Sequence, residues 1–203
     1  YKNGKRDGLH EDYHENGQLE IRRSYKDGDQ YLHQSYHENG QLMEEISYKN
    51  GEQDGLHKIY YENGQLRGKS SFNNGKMNGF SEFYHENGQL KDKGSYKSDE
   101  KDGPWEYYKE NGQLERKGSY KDGERDGPWE FYENGQLKEK GSYDKDGELD
   151  VLWENYYENG QLRSKGSYKD GEQEGLFENY DKDGKLLSKE TYKDDKLISE
   201  ENF

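Results

Sequence analysis

One pentapeptide governs what this chain can fold into. Glu-Asn-Gly-Gln-Leu occurs seven times, with its glycines at Gly17, Gly40, Gly64, Gly88, Gly112, Gly135 and Gly160, and a decayed eighth copy reads Lys182-Asp183-Gly184-Lys185-Leu186. Successive glycines are 23 to 25 residues apart. An aromatic residue stands six places after each Leu: Tyr25, Tyr48, Phe72, Tyr96, Tyr120, Tyr143, Tyr168 and Tyr192. A fixed period of this length marks a repeat architecture in which each segment packs on its neighbours. A disordered chain has no reason to hold one aromatic in register through eight copies. The array is expected to fill residues 1–203 with no internal boundary.

Composition says what such an array can use as a core. The chain has 16 Leu, 4 Ile, 1 Val and 6 Phe among 203 residues, short of the roughly 20% from these four types that a globular core draws on. It has 20 Tyr and 3 Trp instead, with 37% charged residues and a net charge of −14. These numbers argue against an ordinary globular enzyme and for short-range repetition around thin aromatic packing. No apolar run approaches the roughly 20 residues of a membrane-spanning helix. The absence of Cys removes disulfides and thiolate metal sites. An acidic surface argues against nucleic acid, whose phosphates ask for a basic footprint, and against anionic membranes. It suits a basic protein. The chain starts at Tyr1 rather than Met, so the compartment is left open: cytoplasmic for an intracellular inhibitor, secreted or surface-bound if a signal preceded Tyr1.

Each repeat reads as a β-hairpin. Asn-Gly is the strongest short hairpin signal, because a type I′ turn needs φ > 0 at both central residues. Two-residue turns are expected at 16–17, 39–40, 63–64, 87–88, 111–112, 134–135, 159–160 and 183–184. In the fifth repeat this pairs Glu110 with Gln113, Tyr107 with Arg116, Glu106 with Lys117 and Trp105 with Gly118. Alternation then puts Trp105, Leu114, Gly118 and Tyr120 on one face, and Pro104, Glu106, Tyr108, Lys117 and Ser119 on the other. A polar loop over 121–127 leads to the next repeat. The partner of Trp105, Trp129 and Trp153 is Gly118, Gly141 or Gly166, whereas His10, His33 and His57 face Arg23, Ile46 and Ser70; Ser81 opposite Gly94 breaks the pattern. A flat ring over a bare glycine accounts for it. Glu11/Arg22, Glu82/Lys93, Glu106/Lys117, Glu154/Lys165 and Glu178/Lys189 are expected charge pairs within hairpins. The sixth repeat is one residue shorter, which predicts a bulge. The fold class is all-β: an elongated, twisted single-sheet antiparallel meander of about 16 strands, since strands twist.

The repeats resemble MORN repeats, specifically the bacterial MORN-variant repeat of antitoxin-like proteins. The matching residues run from Gly103-Pro104-Trp105-Glu106-Tyr107-Tyr108 through Gly112-Gln113-Leu114 to Lys117-Gly118-Ser119-Tyr120, with turns at Asp122-Gly123 and Asp126-Gly127. The resemblance covers nearly the full length; His10, His33 and His57 depart from it at the Trp position. It implies a β-meander used for protein contacts, with no catalytic centre and no cofactor, and for the bacterial variant an antitoxin role.

Six histidines, including His10/His14 and His33/His37, invite a metal reading, but a spacing of four on a strand separates the rings by about 13 Å along the chain, far beyond a shared zinc. Asp144-Lys145-Asp146-Gly147-Glu148 lacks the oxygen-ligand series of a calcium loop. The strongest candidates are the aromatic columns: Trp105, Trp129, Trp153 and Phe177 with Tyr120, Tyr143 and Tyr168. They are either the sheet's thin core or an exposed face for a ligand, as aromatic anchors are in interfaces. A non-enzymatic scaffold for a basic protein, with an antitoxin-type partner, is the leading expectation. A carbohydrate-binding surface module, with rings as sugar platforms, is the alternative, and a free terminal strand would allow edge-to-edge self-association.

Overall fold

A computed structural model of the chain describes residues 1–149 and 151–203. Among the described residues nineteen strands form one open antiparallel sheet in which successive hairpin arms pair along the chain. Sixteen of them are the two arms of eight hairpins. Two arise because the first arm of the fifth and eighth repeats is interrupted, at Asp102 and Glu174, and the last is the closing strand Lys196–Asn202. Contacts gather into two compact units, 1–100 with 110–112 and 101–109 with 113–203.

The glycine motif does not make the turn expected of it. In the first repeat Gly17 N–H donates to the His14 carbonyl at 2.9 Å, and His14 N–H donates to the Gln18 carbonyl at 2.8 Å. Gly17 has φ 82°, while Asn16 keeps an ordinary negative φ. This is a three-residue loop, a type I turn closed by a glycine bulge. Type I′ turns lie at the opposite end of the hairpins, between repeats, except after the sixth, where Asp144 N–H donates to the Glu148 carbonyl at 2.8 Å and Gly147 (φ 76°) closes another three-residue loop. Asp27-Gly28 (φ 52° and 104°), Asn50-Gly51 (53° and 85°) and Asp122-Gly123 (49° and 88°) have both central residues in the left-handed region. The segment 121–127 is therefore a turn and the start of a strand, with Lys121 paired to Glu124, and not a loop.

A three-residue loop should shift every pairing by one, yet Trp105 faces Gly118, Glu106 faces Lys117 and Tyr107 faces Arg116 as expected. A bulge restores the register: Tyr108 pairs with Leu114, leaving Glu115 as the extra residue. The bulge puts Leu114 opposite Tyr108, across the sheet from Trp105, contrary to the simple alternation. It sits at the same step in the sixth repeat, between Phe131 and Tyr132. The shorter sixth repeat takes up its missing residue elsewhere: Asn134-Gly135 (φ 52° and 79°) is a two-residue type I′ turn.

The loops stack on one another, which explains why the whole pentapeptide recurs. Asn16, Asn39, Asn63 and Asn159 each donate from Nδ2 to a backbone carbonyl in the next loop, those of Glu38, Glu62, Glu86 and Lys182. The same Asn accepts from the Gln amide two residues on, as in Gln41 N–H to Asn39 Oδ1 at 2.9 Å. The Gln side chain in turn lies over the glycine of the following loop, Gln18 on Gly40 and Gln41 on Gly64.

One face of the sheet holds the core. In the second unit Trp105, Tyr107 and Trp129 are buried, with Trp129 fully so at 0% exposure and Trp105 at 1%. In the first unit the buried residues of this face are leaner: Tyr25 and Ile46 with Ser35, Ser70 and Ser81.

Candidate functional site

The aromatic face of the second unit carries a stack that is unbroken from Trp105 to Trp153. Trp105 stacks on Tyr107 (5.9 Å between centroids, 26°), Tyr107 on Trp129 (6.4 Å, 29°), and Trp129 on Phe131 (6.1 Å, 29°). Phe131 then leans on Trp153 at 5.9 Å and 44°. Tyr120 stands edge-on between Trp105 and Trp129, and Tyr143 between Trp129 and Trp153, at 82° to 89°. Tyr168 meets Phe177 edge-on at 5.5 Å. Edge-to-face and offset geometries are those that ring quadrupoles favour. Two cations close the stack. Lys101 Nζ lies 4.1 Å from the Trp105 ring and 2.7 Å from the Tyr107 hydroxyl. The Arg125 guanidinium lies 4.7 Å from the Trp129 ring and bonds the Tyr143 hydroxyl.

The bare glycines lie under rings, but under the rings of the following repeat. No Cβ would fit at Gly118 beneath Trp129, at Gly141 beneath Trp153, or at Gly166 beneath Phe177. The same offset orders the polar repeats, where Arg23 pairs with His33, Ile46 with His57 and Ser70 with Ser81. Ser81 opposite Gly94 thereby stops being an exception: what answers a lost ring at position 81 is the side chain gained at Ser70.

The other face is a polar zipper with the same offset. Lys117 pairs with Glu130 at 3.0 Å, Lys140 with Glu154 at 2.6 Å and Lys165 with Glu178 at 2.7 Å, each joining successive repeats. Within a hairpin, Lys189 reaches Glu178 only at 3.7 Å, while Arg22–Glu11 at 2.7 Å is a close pair. A tyrosine two residues on adds a hydroxyl donor to each carboxylate, as in Tyr156 to Glu154 at 2.6 Å. The Lys165 and Tyr180 bonds hold the Glu178 carboxyl below its ordinary range, and Glu178 in turn raises Lys165. Beside this zipper each unit carries exposed apolar residues that the sequence reading missed, a column of Leu9, Leu56 and Phe80 in the first and the pair Leu152 and Leu176 in the second, each 43% to 62% exposed. Their signal was present as the residue before each Trp or His position, where a solvated face should carry polar side chains.

Of the sequence candidates, Trp105 and Trp129 are interior, and Trp153, Phe177, Tyr120, Tyr143 and Tyr168 are half-buried. The rings missed were Tyr107 and Phe131, which complete the stack. The histidines bond within the sheet: His14 Nε2 to the Tyr36 carbonyl at 3.0 Å and His57 Nε2 to Glu44 at 2.8 Å. Among the described residues no three His, Asp or Glu side chains gather as a metal site requires. Asn155 and Asn179 stand where Tyr107 and Phe131 do in earlier repeats, and a notch of about 170 Å³ opens there, lined by Trp153, Tyr168, Phe177 and Glu190.

The MORN repeat variant profile matches eight times, over residues 6–27, 32–50, 53–74, 77–98, 101–122, 125–145, 149–170 and 173–194. The chain belongs to the MORN repeat variant family. MORN repeats are generally non-enzymatic modules that bind proteins or lipids. No curated protein matches the MORN-variant chain significantly. Among solved structures, the accessory secretory proteins 1, 2 and 3 of Streptococcus pneumoniae are 16% identical, over 69% of this chain and 19% of theirs, with a TM-score of 0.25. TcdB2-TccC3 is 13% identical, over 93% of this chain and 13% of that one, at 0.28. The MORN-variant chain thus spans under a fifth of the length of either, and likenesses this distant carry no argument about its role.

Proposed function

We propose that this chain is a non-enzymatic scaffold whose open sheet holds a basic protein, in the manner of an antitoxin or immunity protein. The observation that carries the reading is the exposed column of Leu9, Leu56 and Phe80, on the face opposite the buried core. A sheet that already buries its own rings on one side has no folding use for leucines and a phenylalanine in water on the other, and exposed apolar patches mark contact sites. Column residues of successive repeats are two strands, about 10 Å, apart, a spacing that an extended or helical partner segment can follow. The net charge of −14 supplies steering toward a basic partner and discriminates against anionic membranes. The antitoxin assignment rests on the family resemblance and this charge.

A carbohydrate-binding role loses its best platforms with Trp105 and Trp129 inside the sheet. Capture from source-cell lysate at two salt concentrations tests the protein-binding reading. A basic protein retained at low salt and released at high salt is expected. Retention of acidic proteins alone, or of none, would overturn it.

A further inference from the structure

The aromatic stack of the second unit is one ring short, and the gap has polar walls. Tyr107 fills the space between Trp105 and Trp129, and Phe131 that between Trp129 and Trp153. The next place in the series is held by Asn155, between Trp153 and Phe177, and the result is the notch of about 170 Å³. Its walls are chemically unlike the filled positions. Asn155 Nδ2 donates to Ser164 Oγ at 3.2 Å, and Asn179 Nδ2 to Ser188 Oγ at 3.0 Å and to Glu190 Oε1 at 3.1 Å. Both amide oxygens are thereby left as acceptors. Glu190 takes the place that Gly118, Gly141 and Gly166 hold in earlier repeats, and accepts from Tyr192 Oη at 2.7 Å. Opposite it in register stands a second carboxylate, Glu200. Like charges directly across a strand pair repel, and among the described residues no lysine or arginine pairs with Glu190. Lys165 borders the notch, but its ammonium is bound to Glu178 at 2.7 Å.

Elsewhere this chain supplies the cation itself. Lys101 occupies the cage of Trp105, Tyr107 and Tyr120, and Arg125 that of Trp129, Phe131 and Tyr143. The corresponding residue of the eighth repeat is Gln173, which lines the notch and is neutral. We propose that the notch between Trp153 and Phe177 receives an arginine side chain from a basic protein partner, its guanidinium flat against the rings and bonded to Glu190 and the amide oxygens of Asn155 and Asn179. The inference rests on the protein-binding reading and deepens it by giving the partner's chemistry and a second point of contact, on the ring face and so across the sheet from the leucine column. A guanidinium fits better than an ammonium because the missing element of the stack is planar, and a planar fork matches a carboxylate and two flanking carbonyls.

The test is a titration of the intact, isotope-labelled chain with N-acetyl-arginine amide, followed by the side-chain amide signals of Asn155 and Asn179 and the Trp153 indole signal. Saturable shifts are expected, with binding about tenfold weaker for the neutral analogue N-acetyl-citrulline amide and about tenfold weaker in Glu190→Gln, the size of one lost charge-assisted bond. Asn155→Phe, which refills the gap as Phe131 fills the preceding one, should abolish binding while the β-sheet circular dichroism is kept. Equal shifts with the citrulline amide, or shifts that persist in Asn155→Phe, would overturn the proposal. So would saturable binding of N-acetylglucosamine with none of the arginine amide. A captured basic protein that Asn155→Phe holds as tightly as the parent would overturn the notch's role and leave the scaffold reading standing. Arginine amide binding with no protein ever captured would support the notch and count against the scaffold.

Discussion

Gly118 shows how far one residue's reason can lie from its nearest partner. Its direct cross-strand partner is Trp105, but the ring that excludes a Cβ is Trp129's, in the next repeat. Gly118→Ala should therefore destabilise by about 1–3 kcal/mol through overpacking, and chemical denaturation would measure it. A double-mutant cycle of Gly118→Ala with Trp129→His should give a coupling of about 1 kcal/mol or more, and the cycle with Trp105→His a smaller one. The pairing of glycine with tryptophan was legible in the sequence; its direction was not, because each ring has a small neighbour in its own hairpin and another in the preceding one. Ser81 opposite Gly94 was the clue that only one direction fits. Burial was equally out of reach: the sequence pointed to Trp105 and Trp129 as rings that matter, but core and contact face ask for the same residues.

At the scale of the hairpin, two misreadings cancelled. Outside the sixth repeat the Asn-Gly motif makes a three-residue loop rather than a type I′ turn, and in the fifth the bulge at Glu115 returns the register that a two-residue turn would have produced. Register was legible because charge and ring pairs report on it directly; turn type was not, because Asn-Gly serves both turns. The asparagine is kept for its ladder as well as its backbone. Asn39→Ala removes one bond to the Glu62 carbonyl and one from Gln41 N–H, so a loss of about 1–2 kcal/mol is expected in thermal melts. Asn134 does not join a ladder of this kind and sits at φ 52°. Asn134→Gly should cost little or nothing there, since glycine accepts that conformation freely.

The zipper face predicts how stability follows pH. Glu82 and Glu178 are held below their ordinary value of 4.5, chiefly by Lys69 and Lys165 respectively, and Glu130 chiefly by the Tyr132 hydroxyl. Their contribution is complete above that value and is lost as pH falls through the lowered ones. Lys69, Lys117 and Lys165 are raised above 10.5 by the same pairs, so their contribution is complete below 10.5 and is lost at higher pH. His33 is lowered from 6.5, first by burial and then by Arg23, so protonation of the unfolded chain begins to erode stability once pH drops below 6.5. The melting temperature should form a plateau between about pH 6.5 and 10, its alkaline edge set by the zipper tyrosines Tyr84, Tyr132, Tyr156 and Tyr180, which are raised from 10.0, with a first decline on the acid side. His33→Asn should flatten the stretch between pH 6.5 and 5 and leave the steeper acid limb, which belongs to the glutamates, in place.

In the whole molecule, the residues that hold the sheet together are distinct from those it offers to others. Rings, glycines and stacked loops serve the fold, while the exposed column and the ring-sized notch are left open. The all-β repeat class was legible from period and turn residues alone, whereas the column was not, because single exposed leucines are common and only their recurrence at Leu9, Leu56 and Phe80 on one face gives them meaning. The central claim is tested most directly by partner capture with the chain carrying Leu56→Ser and Phe80→Ser, exposed changes that should move stability by no more than about 0.5 kcal/mol each. A variant that melts with the parent yet no longer retains the basic partner is the predicted result. Full retention of that partner by the folded variant would contradict the account.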